Sequence, residues 1–379
     1  MSKRIFVSDI HISAGRSLDN AGATYDWLND FRAEQFAAFL DFVDEDSSID
    51  ELALVGDILD QWVYPIDIKP PTYTEIAYAR KQHGEIITKL GRIATRKKVT
   101  YIHGNHDMTF NKASLAGSGM NPFSNINFVD PYRTEDGLYA EHGHRYSMYN
   151  ADNISKQEMP LGYYISRLKA SVDIKGGNGG RWEIEVGDML TELSVLLRDG
   201  KKTAINGPLD YFAEKLGIGD DATILKLDGK TVTLGYVKQA YSSLFSEWKQ
   251  NKDLILPSSY GILAEVDPEA LRHAAREIVE RQKVTVVIFG HTHVPALEYL
   301  HKEPFGAGGS GREICIGLYG NCGSWCEEKE DCTYIEDRYE ESSHEIVVKT
   351  WPDNDVKYGP SLTSASINAP KGEQGNLSQ

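Results

Sequence analysis

The chain has 379 residues, 41% hydrophobic and 25% charged, the balance of a soluble chain folding around one large core or two ordinary ones. Forty Lys and Arg against fifty-six Asp and Glu leave a formal charge of -16, which repels a phosphate backbone and disfavours non-specific nucleic-acid binding. No apolar run approaches the roughly 18 to 20 residues that cross a bilayer, and Met1-Ser2-Lys3-Arg4 leads into Ile5-Phe6-Val7 rather than a signal-peptide segment, so the cytoplasm is the expected address.

Arg4 to Ser8 is a short strand-like run. Asn29 to Val43 sets Phe31, Phe36, Phe39, Leu40 and Val43 at helical spacing, and Glu51 to Val55 returns to strand. A second helix is predicted over about 74–96 from Ile76, Ile86, Ile87, Leu90 and Ile93, with the next strand from Val99 to His103. This alternation makes the fold class α/β. Ile126 to Val129 and Leu138 to Glu141 continue as strands, and a long, mostly helical polar block from about Asn150 to Gln282 reads as an inserted cap. Strand patterning resumes at Val284 to Phe289 and runs in hairpin order through 296–300, 313–318, 333–336 and 345–351. Beyond Pro352 the Ser, Asn, Gly and Pro content predicts a solvated, flexible tail over 352–379. Cys315, Cys322, Cys326 and Cys332 crowd into one stretch. That clustering does not suit a secreted disulfide framework, and without paired C-x-x-C spacing they are expected as buried or half-buried thiols.

Every strong polar cluster sits at the carboxyl end of a predicted strand, where an open α/β sheet places its ligand site. Asp9 and His11 follow the first strand, Gly56-Asp57 and Asp60 the second, and Gly104-Asn105-His106-Asp107 the third. His142-Gly143-His144 and Gly290-His291-Thr292-His293 follow later ones. Carboxylates, imidazoles and one amide oxygen suit hard or borderline divalent metals such as Mn, Fe or Zn. The cysteines lie outside this set. A lone D-x-H after a strand reads as a cap or turn, but five such clusters in succession do not.

Their order and residues resemble the calcineurin-like metallophosphoesterase superfamily, whose pattern D-x-H, G-D-x-x-D, G-N-H-[DE], a further His and G-H-x-H is matched without a missing ligand. The resemblance covers about Lys3 to His144 and Thr285 to Trp351. It implies a four-layer α/β/β/α sandwich, with 1–149 and 283–351 as core and 150–282 as a mainly helical cap insertion. Gly56-Asp57-Ile58-Leu59-Asp60-Gln61-Trp62 and Asn321-Cys322-Gly323-Ser324-Trp325 look more like the branch containing UDP-2,3-diacylglucosamine pyrophosphatases than like Ser/Thr protein phosphatases. The family pattern implies two divalent metal ions: Asp9, His11 and His293 on one, Asn105, His142 and His291 on the other, and Asp57 bridging. Such a pair, about 3.5 to 4 Å apart, binds phosphate oxygens and lowers the pKa of a water toward neutrality. His106 would protonate or stabilise the departing oxygen while Asp60 or Asp107 orients its ring, the family pattern favouring Asp60. The implied activity is that of a phosphodiesterase or pyrophosphatase acting on a small or lipid-linked phosphoester. A nuclease on the same core and a non-catalytic scaffold are the alternatives.

Beside the metal set, His144 is expected near the site as a substrate contact. Arg145 is a candidate bidentate phosphate donor, an ordinary salt bridge being the competing reading. His103 reads as a core or supporting histidine, and His83, His273, His301 and His344 as surface or helix residues. The glycine runs Gly176 to Gly180 and Gly306 to Gly311 lack the Lys-Ser/Thr of a phosphate loop and read as loops. Tyr146, Tyr149, Tyr163, Tyr164, Trp182, Tyr241 and Trp248 are expected to build the core of the cap.

Overall fold

The structure, a computed structural model, describes residues 2–14, 27–115, 121–152, 157–176, 206–250, 268–302, 314–326, 332–340, 343–352 and 364–368. Strand β1 (Ser2–Val7), helix α1 (Asp30–Glu45), strand β2 (Ile49–Val55), helices α2 (Tyr73–Ala77) and α3 (Lys81–Ile93), and strand β3 (Lys98–Ile102) follow in order. Ile5, Val7, Leu52, Leu54, Val99 and Tyr101 face the three helices, while Phe6, Ala53, Val55 and Ile102 face the other way into a second cluster. Burial on both faces is why these strands read as continuous apolar runs rather than as alternating ones. Asn29 caps α1 by accepting the Arg32 N–H, and Phe36, Phe39, Leu40 and Val43 turn inward. Phe31, expected on that face, is 63% exposed: it falls in the first turn, on the solvent side of the helix.

The helix expected over 74–96 is two helices. A capping box between Thr72 and Glu75 starts α2, which stops at Tyr78. The extended backbone of Arg80 then starts α3 at a new angle, and its guanidinium reaches Asp30 on α1 at 3.1 Å.

Strands β4 (Asn127–Phe128), β5 (Tyr132–Arg133) and β6 (Leu138–Ala140) lead to a short 3-10 turn at His144–Tyr146. The cap block contributes α4 (Leu161–Gly176), α5 (Asn206–Leu216), the hairpin β7 (Thr223–Leu225) and β8 (Thr231–Thr233), α6 (Leu234–Ala240) and α7 (Leu244–Gln250). Tyr149, Tyr163, Tyr164, Leu168, Leu209, Phe212, Tyr241 and Trp248 form its core, and Trp62 reaches up from the loop after β2 to join them. Trp182 and the expected glycine loops at 177–180 and 306–311 lie outside the described residues.

Helix α8 (Pro268–Gln282) corrects the cap boundary. Its Ala270, Leu271, Ala274, Ala275 and Ile278 pack with Val287, Phe289 and Tyr319 on the outer face of a core sheet, so it belongs to the core although position alone had placed it in the cap. The chain finishes with β9 (Val286–Phe289), β10 (Ala296–His301), β11 (Cys315–Asn321), β12 (Cys332–Glu340), β13 (Ser343–Trp351) and β14 (Ser364–Asn368). That last strand corrects the expectation of a wholly flexible tail. Ser364 to Asn368 pair antiparallel with β13, and Ala365 is buried against the core.

Two sheets result, one ordered β14-β13-β12-β1-β2-β3-β4 and one ordered β10-β11-β9-β6-β5. Phe6, Val55 and Ile102 of the first pack against Leu138, Ile288, Leu297 and Leu318 of the second. With α1, α2 and α3 outside one sheet and α8 outside the other, the order of layers is α/β/β/α. β1, β2 and β3 are mutually parallel, as are β6 and β9, so their carboxyl ends bring the loops after them together. Among the described residues no helix is long and apolar enough to cross a membrane.

Candidate metal centre

The loops are stitched to one another before any side chain is considered. His11 donates its N–H to the Asp57 carbonyl at 2.9 Å, and Gly290 donates to the His142 carbonyl at 3.0 Å. Among the described residues, five of the six non-glycine residues with positive φ are candidate ligands: Asp9 (54°), His11 (49°), Asp57 (54°), His291 (74°) and His293 (59°). Left-handed backbone costs an L-residue roughly 1–2 kcal/mol, and such strain gathers where function over-determines the geometry. Gly104 serves the close approach, since a Cβ there would sit 2.0 Å from Asp57 Oδ1.

Each candidate carboxylate is anchored through one oxygen and presents the other. Asp57 Oδ1 accepts the His106 N–H at 2.8 Å, leaving Oδ2 3.1 Å from His142 Nε2 and 3.8 Å from His11 Nε2. Asp9 Oδ2 accepts the His291 N–H at 3.0 Å, leaving Oδ1 3.2 Å from His293 Nε2. The rings are held from behind. His11 Nδ1 lies 3.2 Å from Asp60 Oδ2, His142 Nδ1 2.8 Å from the Val55 carbonyl, and His293 Nδ1 3.4 Å from Cys326 Sγ. Their Nε2 atoms therefore point inward, and those of His11 and His293 meet at 3.2 Å.

All the sequence-predicted residues of this set come together and are buried, and the ones retaining most exposure, His106 (7%), His291 (8%) and His293 (9%), mark the open side. Asp9 Oδ1 and Asn105 Oδ1 are buried with no hydrogen-bond partner among the described residues. Unsatisfied acceptors of this kind, beside inward-facing imidazoles, are the donor set a divalent cation satisfies, so the residues fit the implied metal ions. Among the described residues three overlapping triads have ligand atoms within 4.8 Å of one another: His11 with His293 and Cys326, His11 with Asp57 and His106, and Asp57 with His142 and His291.

Electrostatics agree with the geometry. Burial pushes the Asp9 carboxyl up, but the facing His293 and His142 hold it well below the usual carboxylate range. Asp57 is likewise held low against burial by His142 and His106, and Asp60 by His106 and His11. Burial lowers His142, yet Asp57 and Asp9 raise it to about 9, whereas burial and the neighbouring His142 push His291 down to about 3. Three ionised carboxylates buried close together favour cations.

Asp60, not Asp107, is the partner of His106. Its Oδ1 lies 3.1 Å from His106 Nδ1 and also accepts the backbone N–H groups of Trp62 and Val63. Asp107 instead ties loops, accepting from Gly104 N, Ile58 N and the Tyr101 hydroxyl. Arg145 is a correction, because its guanidinium grips both oxygens of Asp130 at 2.9 and 2.6 Å and so is the salt bridge rather than a phosphate fork. His144 is buried 5.6 Å, ring to ring, from His142, and burial beside that ring lowers it well below the usual imidazole range. His103 supports the metal loop by pairing with the Phe110 carbonyl at 2.7 Å.

His83 and His344, expected as surface or helix residues, are both buried, His83 on α3 and His344 on β13. Contacts beyond the predicted site residues include Trp27, which stacks on His11 (4.7 Å), and Trp62, which stacks on His106 (4.8 Å). Asn321 braces the last loop through Gly290 O and Thr292 Oγ1, and Cys326, set aside with the other thiols, touches His293. The quoted Gly-Asp-x-x-Asp-Gln-Trp and Asn-Cys-Gly-Ser-Trp stretches held the signal for Trp62 and Asn321. Nothing local pointed to Trp27 or Cys326.

A family model for calcineurin-like phosphoesterases matches residues 2–295. The chain belongs to that family. Its candidate ligand clusters suit the divalent metals that this family binds. A curated relative, the UDP-2,3-diacylglucosamine hydrolase of Shewanella loihica, is 32% identical over 133 residues, 35% of this chain and 44% of that protein. The hydrolase of the same name from Shewanella sp. strain ANA-3 is 28% identical over 130 residues, so the chain spans less than half the length of either relative. Among solved structures it is similar to a dimetal phosphatase from Danio rerio, with 10% identity, a TM-score of 0.41, and coverage of 97% of this chain and 99% of that one.

Proposed function

We propose that this phosphoesterase hydrolyses a phosphodiester or pyrophosphate bond of a small or lipid-linked substrate using two divalent cations, Mn, Fe or Zn. One observation carries the reading. The Nε2 atoms of His11 and His293 face each other at 3.2 Å with Asp9 Oδ1 3.2 Å from the second, an assembly of donors that one cation would satisfy together. Asp9, His11 and His293 would hold that cation, Asn105, His142 and His291 the other, and Asp57 would lie between them. When bound, the cations supply Lewis acidity that polarises phosphoryl oxygens and makes water a nucleophile near neutral pH.

The chain's own groups do the rest. Asp60 faces His106 Nδ1, which leaves Nε2 to deliver a proton to the departing oxygen. Trp62, stacked beneath it with the two planes 29° apart, fixes the plane of that ring. His144 and the cap residues above Trp62 would meet the part of the substrate beyond the phosphates. The name of the Shewanella relatives supports a nucleotide-linked glycolipid as the first substrate to try, and the net charge of -16 supports a small substrate over a polynucleotide.

Elemental analysis of purified protein should give about two equivalents of Mn, Fe or Zn, the stoichiometry of a bridged site. The same protein should cleave UDP-2,3-diacylglucosamine or bis-p-nitrophenyl phosphate in preference to short DNA. Asp57→Asn should lose at least one equivalent and the activity with it, because an amide cannot neutralise two cations. A variant that keeps both equivalents and turns over normally would refute the assignment.

A further inference from the structure

Each of three inward-facing rings is braced at Nδ1 by a different chemical group. For His11 the brace is the Asp60 carboxylate, for His142 the Val55 carbonyl, and for His293 the sulfur of Cys326. We infer that Cys326 is the positioning residue of His293, its sulfur accepting the Nδ1 hydrogen and so keeping Nε2 turned toward Asp9 and His11. The inference rests on the reading of His293 as a cation ligand.

Two observations support it beyond the 3.4 Å contact. Cys326 is 1% exposed and packed in an apolar cluster with Trp27, Val63 and Ala170, so the sulfur is fixed in place and shielded from water. Trp27 in turn stacks on His11 and stands edge-on to His293 at 5.7 Å, so one cluster sets the orientation of both rings. Direct ligation by the sulfur is the competing arrangement, since the ligand atoms of His11, His293 and Cys326 lie within 4.8 Å of one another. The ring decides between them. Nδ1 and Nε2 point to different sides of an imidazole, and here the sulfur lies on the Nδ1 side while Asp9 Oδ1 and His11 Nε2 lie on the Nε2 side. A hydrogen bond to the far nitrogen of a ligating histidine fixes its tautomer, and its loss costs roughly 10- to 100-fold in metal affinity.

The test uses the full chain as wild type, Cys326→Ala and Cys326→Ser. Metal titration should show one of the two cations bound roughly 10- to 100-fold more weakly in Cys326→Ala, with part of the loss recovered in Cys326→Ser, whose hydroxyl also accepts a hydrogen bond. Cobalt(II)-substituted wild type should lack an intense sulfur-to-metal absorption band. Long-range ring NMR of wild type without added metal should find His293 protonated at Nδ1. Unchanged affinity in both variants would overturn the inference, and so would a sulfur-to-cobalt band that disappears in Cys326→Ala, which would make the sulfur a ligand. If wild type bound no cation, the reading of the site would fall. The NMR measurement would still decide the contact, and a His293 protonated only at Nε2 would overturn it.

Discussion

One carboxylate serves two rings: Asp60 meets His106 through Oδ1 and His11 through Oδ2. His106 has a stacked indole on one side and no proposed share in the cations, so its removal should isolate proton delivery. His106→Ala is expected to keep its metal content and lower turnover by roughly 10²- to 10⁴-fold, the usual contribution of a positioned acid. Comparing a nitrophenolate with an alkoxide leaving group checks this, because the first needs no proton and should lose much less. Equal losses for both would assign His106 another job. Residues such as Asp9, Asn105 and His106 were legible because each belongs to a local motif ending a strand. Cys326 and Trp27 were not, because they meet His293 and His11 only after distant segments have packed.

At the scale of elements, the join between cap and core is a buried arginine. Arg167 on α4 donates to the carbonyls of Tyr64, Pro65, Ile68 and Leu225 and to the Tyr163 hydroxyl. Three of those carbonyls belong to the loop that also carries Asp60 and Trp62. Arg167→Met would leave several buried acceptors unsatisfied at about 1–3 kcal/mol each, so a loss of at least about 3 kcal/mol is expected in urea unfolding. Turnover should fall with metal content preserved, because Trp62 loses its support under His106. A change below about 1 kcal/mol, the size of one ordinary hydrogen bond, would mean the loop holds itself. The elements themselves were largely readable from apolar spacing, down to the alternation of strand and helix in the first third. The break at Tyr78 was not, since the helical spacing of apolar residues continues across it. Nor was the placing of α8, because an amphipathic helix does not say which sheet will cover it.

Across the whole molecule, a buried ionic cluster joins the two sheets. Arg4 on β1 pairs with Asp337 on β12 at 2.9 Å and with Asp136, in the turn before β6, at 2.7 Å. His344 on β13 meets Asp337 at 2.9 Å and the Asp136 carbonyl at 3.0 Å. Burial lowers His344, but the bond to Asp337 outweighs it and the imidazole ends above its usual value. A folded-state value above the unfolded one, about 6.5, means that the stabilisation is complete below that pH and is lost as pH rises through the raised value. The stability gap between wild type and His344→Asn should therefore be wider at about pH 6 than at about pH 9 in denaturant titrations. A gap that grows with pH would show that the imidazole is held neutral.

The position of β1 has a consequence for how the chain is made. It lies between β2 and β12, and Asp9 just beyond it accepts the N–H of His291. β1 must therefore wait for β12, a partner synthesised roughly three hundred residues after it. Until β12 arrives one edge of β1 stays open, and the carboxylates that follow it lie without the histidines that complete their pocket. Synthesis of a chain so arranged leaves a nascent sheet edge exposed until β12 has been made, a period in which pairing with a neighbouring chain competes with native closure.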